Sequence, residues 1–156
     1  MSGDRVSQMP GQWLQMLRAG ALRFRRKPEP TADPMATYSG GCHCRRVRFE
    51  VRAPARLTLL ECNCSICSVV AYLHLVVPVA NFRLQSGDDV LTTYRFLTRT
   101  AEHTFCSLCG IKSFYVPRAD PFSRSVNARC LDAGPGTDSV IIPFDGERWG
   151  NMGVRI

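Results

Sequence analysis

Seven of the eight cysteines in this 156-residue chain lie in three short motifs, and their spacing limits the fold more than any other feature. The motifs are Cys42-His43-Cys44, Cys62-Asn63-Cys64-Ser65-Ile66-Cys67 and Cys106-Ser107-Leu108-Cys109-Gly110. Cysteines this close together are typical of zinc sites, whereas disulfide frameworks belong to short exported chains, and the N-terminus lacks the pattern of a signal peptide. The sequence therefore predicts metal-bound thiolates in an intracellular protein. We expect the protein to be located in the cytoplasm, and a nuclear or organellar location is the alternative.

The Cys106–Cys109 motif has the spacing of a zinc knuckle, in which two thiolates converge on one ion and a glycine permits the tight turn. Structural zinc takes four ligands, so two more are needed. Cys42 and Cys44 can supply them, because residues i and i+2 share one face of an extended segment. We call Cys42, Cys44, Cys106 and Cys109 the first cluster. The sequence predicts that it forms a closed structural zinc site.

The remaining motif forms the second cluster, Cys62, Cys64 and Cys67. Three thiolates on one short loop can bind a second zinc ion and leave its fourth position free, which is typical of catalytic zinc. Alternatively, Cys130 or His74 closes this site, although a lone cysteine is more often a buried apolar residue. For His74, which lies in an apolar segment, we favour a packing role. His43 and His103 lie beside ligand cysteines, so their side chains point away from the metal. Any role at the site would be to hydrogen-bond the ligands.

The segments between the motifs predict a mainly β domain with little helix. Val47, Phe49 and Val51 alternate with charged residues, which is the period-two pattern of a half-buried strand. Other segments rich in β-forming residues predict further short strands at 57–61, 73–77, 91–97, 114–116 and 140–142. Turns are predicted at Gly134-Pro135-Gly136 and Asp145-Gly146. These strands would form a zinc-binding domain over residues 36–156.

Residues 1–35 differ in composition and predict a basic N-terminal extension, loosely ordered or partly helical. They contain six Lys or Arg residues against three Asp or Glu residues, a net charge of +3 out of +7 for the whole chain. Seven thiolates and two Zn²⁺ ions would lower the +4 of the remaining residues to about +1. Such a domain has no electrostatic footprint for DNA, so any nucleic acid or acidic protein partner would bind the extension. No apolar run reaches the roughly 20 residues of a membrane span.

The motifs together resemble the glutathione-dependent formaldehyde-activating enzyme family, whose domain also occurs in centromere protein V. The similarity runs from about Tyr38 to Gly150 and keeps four separate motifs in order. Its carriers are Gly41-Cys42-His43-Cys44, Val47-Arg48-Phe49, Cys62-Asn63-Cys64-Ser65-Ile66-Cys67, Thr93-Tyr94, His103-Thr104-Phe105-Cys106, Cys109-Gly110, Ser113-Phe114-Tyr115, Cys130-Leu131-Asp132, Phe144-Asp145-Gly146 and Trp149.

The resemblance implies a β-tent fold of the Mss4-like type, with structural zinc on the first cluster and a second zinc on the second cluster. It also implies a carbon–sulfur lyase that joins glutathione to formaldehyde. A zinc ion with three thiolates is a mild Lewis acid, so thiol transfer is a better expectation than hydrolysis. The alternative is a non-catalytic zinc module of the centromere protein V type that binds a partner. The sequence does not indicate an oligomeric state.

Two positions depart from the family pattern. Arg45 stands where the family usually has glycine, and the segment 68–73 is largely apolar where members commonly have a basic or polar run. The second departure alters the rim of the open site, so the substrate can differ from glutathione. Arginines suit planar anions and can hold a substrate carboxylate near this site. The candidates are Arg118, Arg124 and Arg129, although arginines more often lie at ordinary surface positions. The aromatic residues Phe114, Tyr115 and Trp149 are expected to pack in the core or at the rim.

Overall fold

The computed structural model describes residues 33–149. The predicted N-terminal extension therefore lies outside the described residues, apart from its last three positions. Within residues 33–149, no helix is long and apolar enough to cross a membrane. The strands are β1 (Met35–Gly41), β2 (Arg48–Pro54), β3 (Thr58–Cys62), β4 (Leu73–Pro78), β5 (Phe82–Ser86), β6 (Leu91–Tyr94), β7 (His103–Cys106), β8 (Phe114–Tyr115), β9 (Ser123–Asn127) and β10 (Val140–Phe144). One short helix, α1 (Ser65–Val69), follows β3, and 3₁₀ turns cover Val79–Asn81, Asp88–Val90 and Ala128–Cys130.

The described strands form three small sheets. Their strand orders are β1-β2-β5, β10-β3-β4-β9-β8 and β6-β7. Every pair is antiparallel except β10 with β3, which run parallel with Phe144 opposite Cys62. The prediction of a mainly β domain with short, mostly antiparallel strands and little helix is therefore confirmed. The parallel pair is a long-range contact that local sequence patterns do not reveal.

Strand β2 carries the predicted alternation into the core. Phe49 is fully buried and Val51 is 1% exposed, whereas Arg52 between Val51 and Ala53 faces solvent. The Phe49 ring stacks on Phe82 at a centroid distance of 5.7 Å. Burying a side chain of this size contributes about 1.5–3 kcal/mol of hydrophobic free energy. Phe114 packs against the same two rings and is a core residue, as the sequence predicts.

Four strands lie outside the predicted segments, namely β1, β5, β7 and β9, and one predicted strand is shorter than expected. The segment predicted as a strand over 91–97 leaves the sheet after Tyr94, because Leu97 and Arg99 have φ values of 49° and 58°, which an extended strand does not allow. Strand β9 was not predicted at all, since its sequence Ser-Arg-Ser-Val-Asn is mostly polar. It nevertheless lies between β4 and β8, where burial on both faces overrides weak local propensity.

Candidate metal centre and its cavity

The first cluster brings together thiols from two distant parts of the chain. The four sulfur atoms lie within 4.8 Å of one another. Cys44 Sγ is 3.4 Å from Cys42 Sγ and 3.7 Å from Cys106 Sγ. Zinc–sulfur bonds of about 2.3 Å in a tetrahedron place sulfurs about 3.8 Å apart. The donor set and its spacing therefore fit a closed structural zinc site.

Backbone hydrogen bonds shape both halves of the first cluster. The N–H of Val47 donates to Cys42 Sγ at 3.3 Å, and the knuckle closes through Gly110, whose N–H donates to the Cys106 carbonyl at 2.8 Å. Gly110 has φ of 75°, the conformation that makes glycine the favoured residue there. Arg45, which replaces the family's usual glycine, also has a left-handed φ of 65°. That conformation costs a non-glycine residue about 1 kcal/mol, so the departure is tolerated at modest cost.

Two thiols of the first cluster, those of Cys44 and Cys109, have pKa values shifted in opposite directions. Partial burial opposes ionisation of Cys109, but backbone hydrogen bonds at Cys44 and Ile111 and the neighbouring thiols lower its pKa to about 6. A backbone hydrogen bond at Arg46 favours the Cys44 thiolate, yet the adjacent thiols outweigh it and raise the pKa of Cys44 to about 12. The Cys109 thiolate is thus favoured over the Cys44 thiolate.

The second cluster is built where β3 passes into α1. Cys62 ends the strand, Cys64 is the N-cap residue of the helix, and Cys67 lies buried inside it. Hydrogen bonds with the thiols of Cys62 and Cys67 lower the pKa of Cys64 to about 2. The same hydrogen bonds, from Cys62 and then Cys64, raise the pKa of Cys67 far above its usual range. The structure therefore places the thiols of Cys62 and Cys67 within 4.8 Å of each other and the Cys64 thiol in contact with both, with Cys64 as the preferred thiolate.

Asn63 holds the cysteine loop against the turn after β10 through three hydrogen bonds, which we call the Asn63 clamp. Asn63 lies between Cys62 and Cys64, and its amide Nδ2 donates to Asp145 Oδ1 at 3.0 Å. Its Oδ1 accepts from the backbone N–H of Glu147 at 2.9 Å, and its own N–H donates to the Phe144 carbonyl at 3.3 Å. Gly146 lies so close to this loop that an added Cβ would overlap Cys62 Sγ. The predicted turn at 145–146 is thus part of the site.

His74 belongs to the same neighbourhood, so the alternative in which it closes the second site is compatible with the structure, beside its packing role. Its strand β4 pairs with β3, and one of its ring nitrogens lies within 4.8 Å of the thiols of Cys62 and Cys67. The ring is 5% exposed, and burial lowers its pKa to about 4, so it is neutral at physiological pH. A neutral imidazole is a metal ligand. Cys62, Cys67 and His74 are therefore a second group of residues that can hold a metal.

A cavity of about 370 Å³ opens onto the second cluster. His103 forms part of its wall between two rings, with centroids 4.8 Å from Tyr115 and 5.3 Å from Phe96. Burial, and secondarily the charge of Lys112, lower the pKa of His103 to about 4. Among the other lining residues are Cys62, Cys64, Cys67, His74, Arg118 and Trp149. The lining is mostly aromatic and apolar with a few polar groups, as is typical of small-molecule sites.

Of the three candidate arginines, Arg118 lines this cavity. Its guanidinium lies over the Trp149 ring at 4.6 Å and donates to the Trp149 carbonyl at 3.3 Å. Arg124 donates instead to the carbonyls of Pro121 and Ser123, and Arg129 to the carbonyl of Ala71. Arg124 and Arg129 are not among the residues that line this cavity, which agrees with the ordinary surface positions that the sequence favours.

The remaining candidates lie outside the two metal groups. Cys130 has its thiol 3.9 Å from the Lys112 carbonyl, and burial raises its pKa to about 11, so it is a protonated, half-buried thiol. His43 is exposed beside the first cluster. All eight cysteines are free thiols, in agreement with the prediction against disulfides. In the apolar segment after Cys67, Val69 is 77% exposed while Tyr72 is buried, so only part of this segment forms a surface rim.

Comparison with known proteins agrees with the arrangement of cysteines. Residues 37–142 match the family described as glutathione-dependent formaldehyde-activating enzyme. The structure is also similar to a crystal structure of a Rhodobacter sphaeroides protein, with 32% sequence identity and a TM-score of 0.57 over 66% of this chain and 97% of that chain. The matched residues include both cysteine clusters and the strands that carry them. The chain therefore belongs to the glutathione-dependent formaldehyde-activating enzyme family.

Proposed function

We propose that this protein is a zinc-dependent carbon–sulfur lyase that handles adducts of a small thiol, such as glutathione, with an aldehyde. The observation that carries the proposal is the second cluster, three adjoining thiols that open onto a cavity of about 370 Å³. In the synthetic direction, the thiol sulfur forms a bond to the carbonyl carbon, and the thiol proton ends on the carbonyl oxygen. The reverse direction breaks the same carbon–sulfur bond and releases thiol and aldehyde.

Two zinc ions complete the proposed enzyme, one at each cluster. The first cluster joins the loop before β2 to the loop after β7 and would act as a structural staple, worth on the order of 10 kcal/mol in small zinc domains. At the second cluster, Cys62, Cys64 and Cys67 would hold the ion that makes the protein a lyase. Bound zinc there would lower the pKa of an incoming thiol and so supply a nucleophile at neutral pH.

The cavity wall supplies a neutral imidazole. His103 lines the cavity and is neutral above about pH 4, which makes it too weak a base to take the thiol proton, so its ring serves as a hydrogen-bond partner that can orient the thiol or the carbonyl oxygen. The Tyr115 ring stacks on the imidazole and the Phe96 ring packs against it at a tilt, and both contacts hold the imidazole in place.

Arg118 offers a guanidinium to an anionic thiol, while the carboxylate of Asp120, which also lines the cavity, accepts hydrogen bonds from the Phe122 N–H and Ser123 Oγ. The stacking of Arg118 on Trp149 orders the guanidinium, so less side-chain entropy is lost when it pairs with a carboxylate. Glutathione and other cellular thiols carry carboxylates, which fits such a group. The mostly apolar remainder of the cavity supports a small, compact adduct rather than a long polar chain.

The test is an NMR assay of adduct formation between isotope-labelled formaldehyde and cellular thiols, with zinc-loaded protein of measured metal content. We expect acceleration with at least one thiol that carries a carboxylate, and loss of that acceleration in Cys64→Ser. Arg118→Ala should raise KM about tenfold for that thiol, the cost of one charged hydrogen bond, while kcat changes little. Arg124→Ala is the matched control, because that arginine is not among the residues that line the cavity. No acceleration with any thiol would contradict the proposal.

The alternative of a non-catalytic binding module depends on residues 1–35, most of which lie outside the described residues. No contact within residues 33–149 favours it over the cavity. It remains a prediction from the sequence, and deletion of the extension separates the two functions. An enzyme would keep its turnover, whereas a module that binds through the extension would lose its partner.

A further inference from the structure

The second cluster has a neighbour that the three-thiol assignment leaves unused. The His74 ring is 5% exposed, and its Nδ1 lies 2.9 Å from Ser125 Oγ. Its Nε2 is buried and has no hydrogen-bond partner among the described residues. A buried polar atom without a partner costs about 1–3 kcal/mol, so its presence in a stable fold calls for a ligand.

The position of the ring indicates which ligand that is. One ring nitrogen of His74 and the thiols of Cys62 and Cys67 lie within 4.8 Å of one another. Because Ser125 engages Nδ1, the nitrogen left for a metal is Nε2. We propose that His74 Nε2, in place of the Cys64 thiolate, is the third donor to the second metal ion beside the thiolates of Cys62 and Cys67, which revises the three-thiolate donor set of the proposed function. This inference rests on the second metal site of the proposed function but not on the proposed reaction.

Ser125 has the position of a residue that orients the ligand. It is fully buried on β9, next to β4, and its Oγ lies 2.9 Å from Nδ1 of His74. When Oγ accepts the Nδ1 proton of His74, the lone pair is left on Nε2. Metal-binding histidines commonly donate their other N–H in this way, which fixes the tautomer and the ring orientation. We therefore assign Ser125 as a positioning residue.

The mixed donor set changes the charge of the site. Two thiolates and a neutral imidazole balance a divalent ion, whereas three thiolates leave a net charge of −1. The site is then more electron-poor than the three-thiolate assignment implies, and a thiol that reaches it is acidified more strongly. Cys64 is not one of the three mutually close donors, so the nitrogen ligand should persist without its thiol.

The test is zinc-edge X-ray absorption of the full chain loaded with two ions, combined with a chelator-competition titration. We expect a nitrogen scatterer with the multiple-scattering pattern of imidazole in the wild type, its loss in His74→Gln, and its retention in Cys64→Ser. Affinity for the second ion should fall at least about 10–100-fold in His74→Gln and by a smaller factor in Ser125→Ala, with the first ion unchanged. His103→Gln removes another buried histidine of the same cavity and should keep the nitrogen signal.

Sulfur-only coordination in wild-type protein with two bound ions would overturn the inference, and so would unchanged affinity in His74→Gln. If that variant fails to fold, the wild-type spectrum still decides. Wild-type protein that binds one ion per chain would overturn the second site itself. A nitrogen signal together with a failed lyase assay would leave this inference standing and reject only the proposed reaction.

Discussion

Gly146→Ala tests whether the second cluster is built against the turn after β10. Gly146 needs no left-handed φ, so alanine suits its backbone, but the new methyl group would overlap Cys62 Sγ and lie 3.2 Å from Cys64 Cβ. Ordinary contact distances are about 3.5–4.0 Å, so the sulfur must move by about 1 Å. The Asn63 clamp resists such a movement, because the loop and the turn share three hydrogen bonds.

A displacement of about 1 Å is large compared with a zinc–sulfur bond of about 2.3 Å, whose length varies by only about 0.2 Å. We therefore expect Gly146→Ala to lower affinity for the second ion at least about 10–100-fold. Substitutions of residues that position metal ligands have effects of this size. The first cluster lies on other loops and should keep its ion. Unfolding free energy of the metal-free protein should change by less than about 1 kcal/mol, because no core contact is lost.

The assay is metal content after gel filtration against a competing chelator, with thermal unfolding followed by circular dichroism. Gly134→Ala is the matched control. Gly134 has φ of 69° and open space around it, so alanine there strains the backbone by about 1 kcal/mol without touching a thiol. The control should lose stability and keep both ions, whereas Gly146→Ala should do the reverse. Wild-type affinity for two ions in Gly146→Ala would refute the reasoning.

Two further predictions concern the first cluster and the pH dependence. Cys106→Ser should release one ion per chain and unfold the domain at physiological temperature, since Cys106 is fully buried among the four thiols; Cys130→Ser should keep two ions by metal analysis. Because burial lowers the pKa of His103 from 6.5 to about 4, folding excludes a proton that the unfolded chain binds. This stability is present above pH 6.5 and is lost as pH falls toward 4, by up to about 3 kcal/mol. In urea unfolding between pH 4 and 7, His103→Gln should therefore show a shallower dependence than the wild type; an equal dependence would refute this assignment.

The sequence by itself determined the features that repeat over a few residues. The alternation around Phe49 and Val51 specifies a strand with one buried face, because side chains in a strand point to opposite sides in turn. The spacing of Cys106, Cys109 and Gly110 likewise specifies a knuckle, because one tight turn is enough to bring two sulfurs together. Local geometry decides such features, and they follow from neighbouring residues alone.

The tertiary structure decided which distant residues complete the second site. His74 faces Cys62 only because β3 and β4 pair, and Gly146 approaches the same thiol only because β10 pairs with β3 in parallel. The polar strand β9, which carries Ser125, has a weak local pattern and owes its state to burial between two neighbours. Register and strand order depend on the packing of the whole domain, so no short window of sequence contains them.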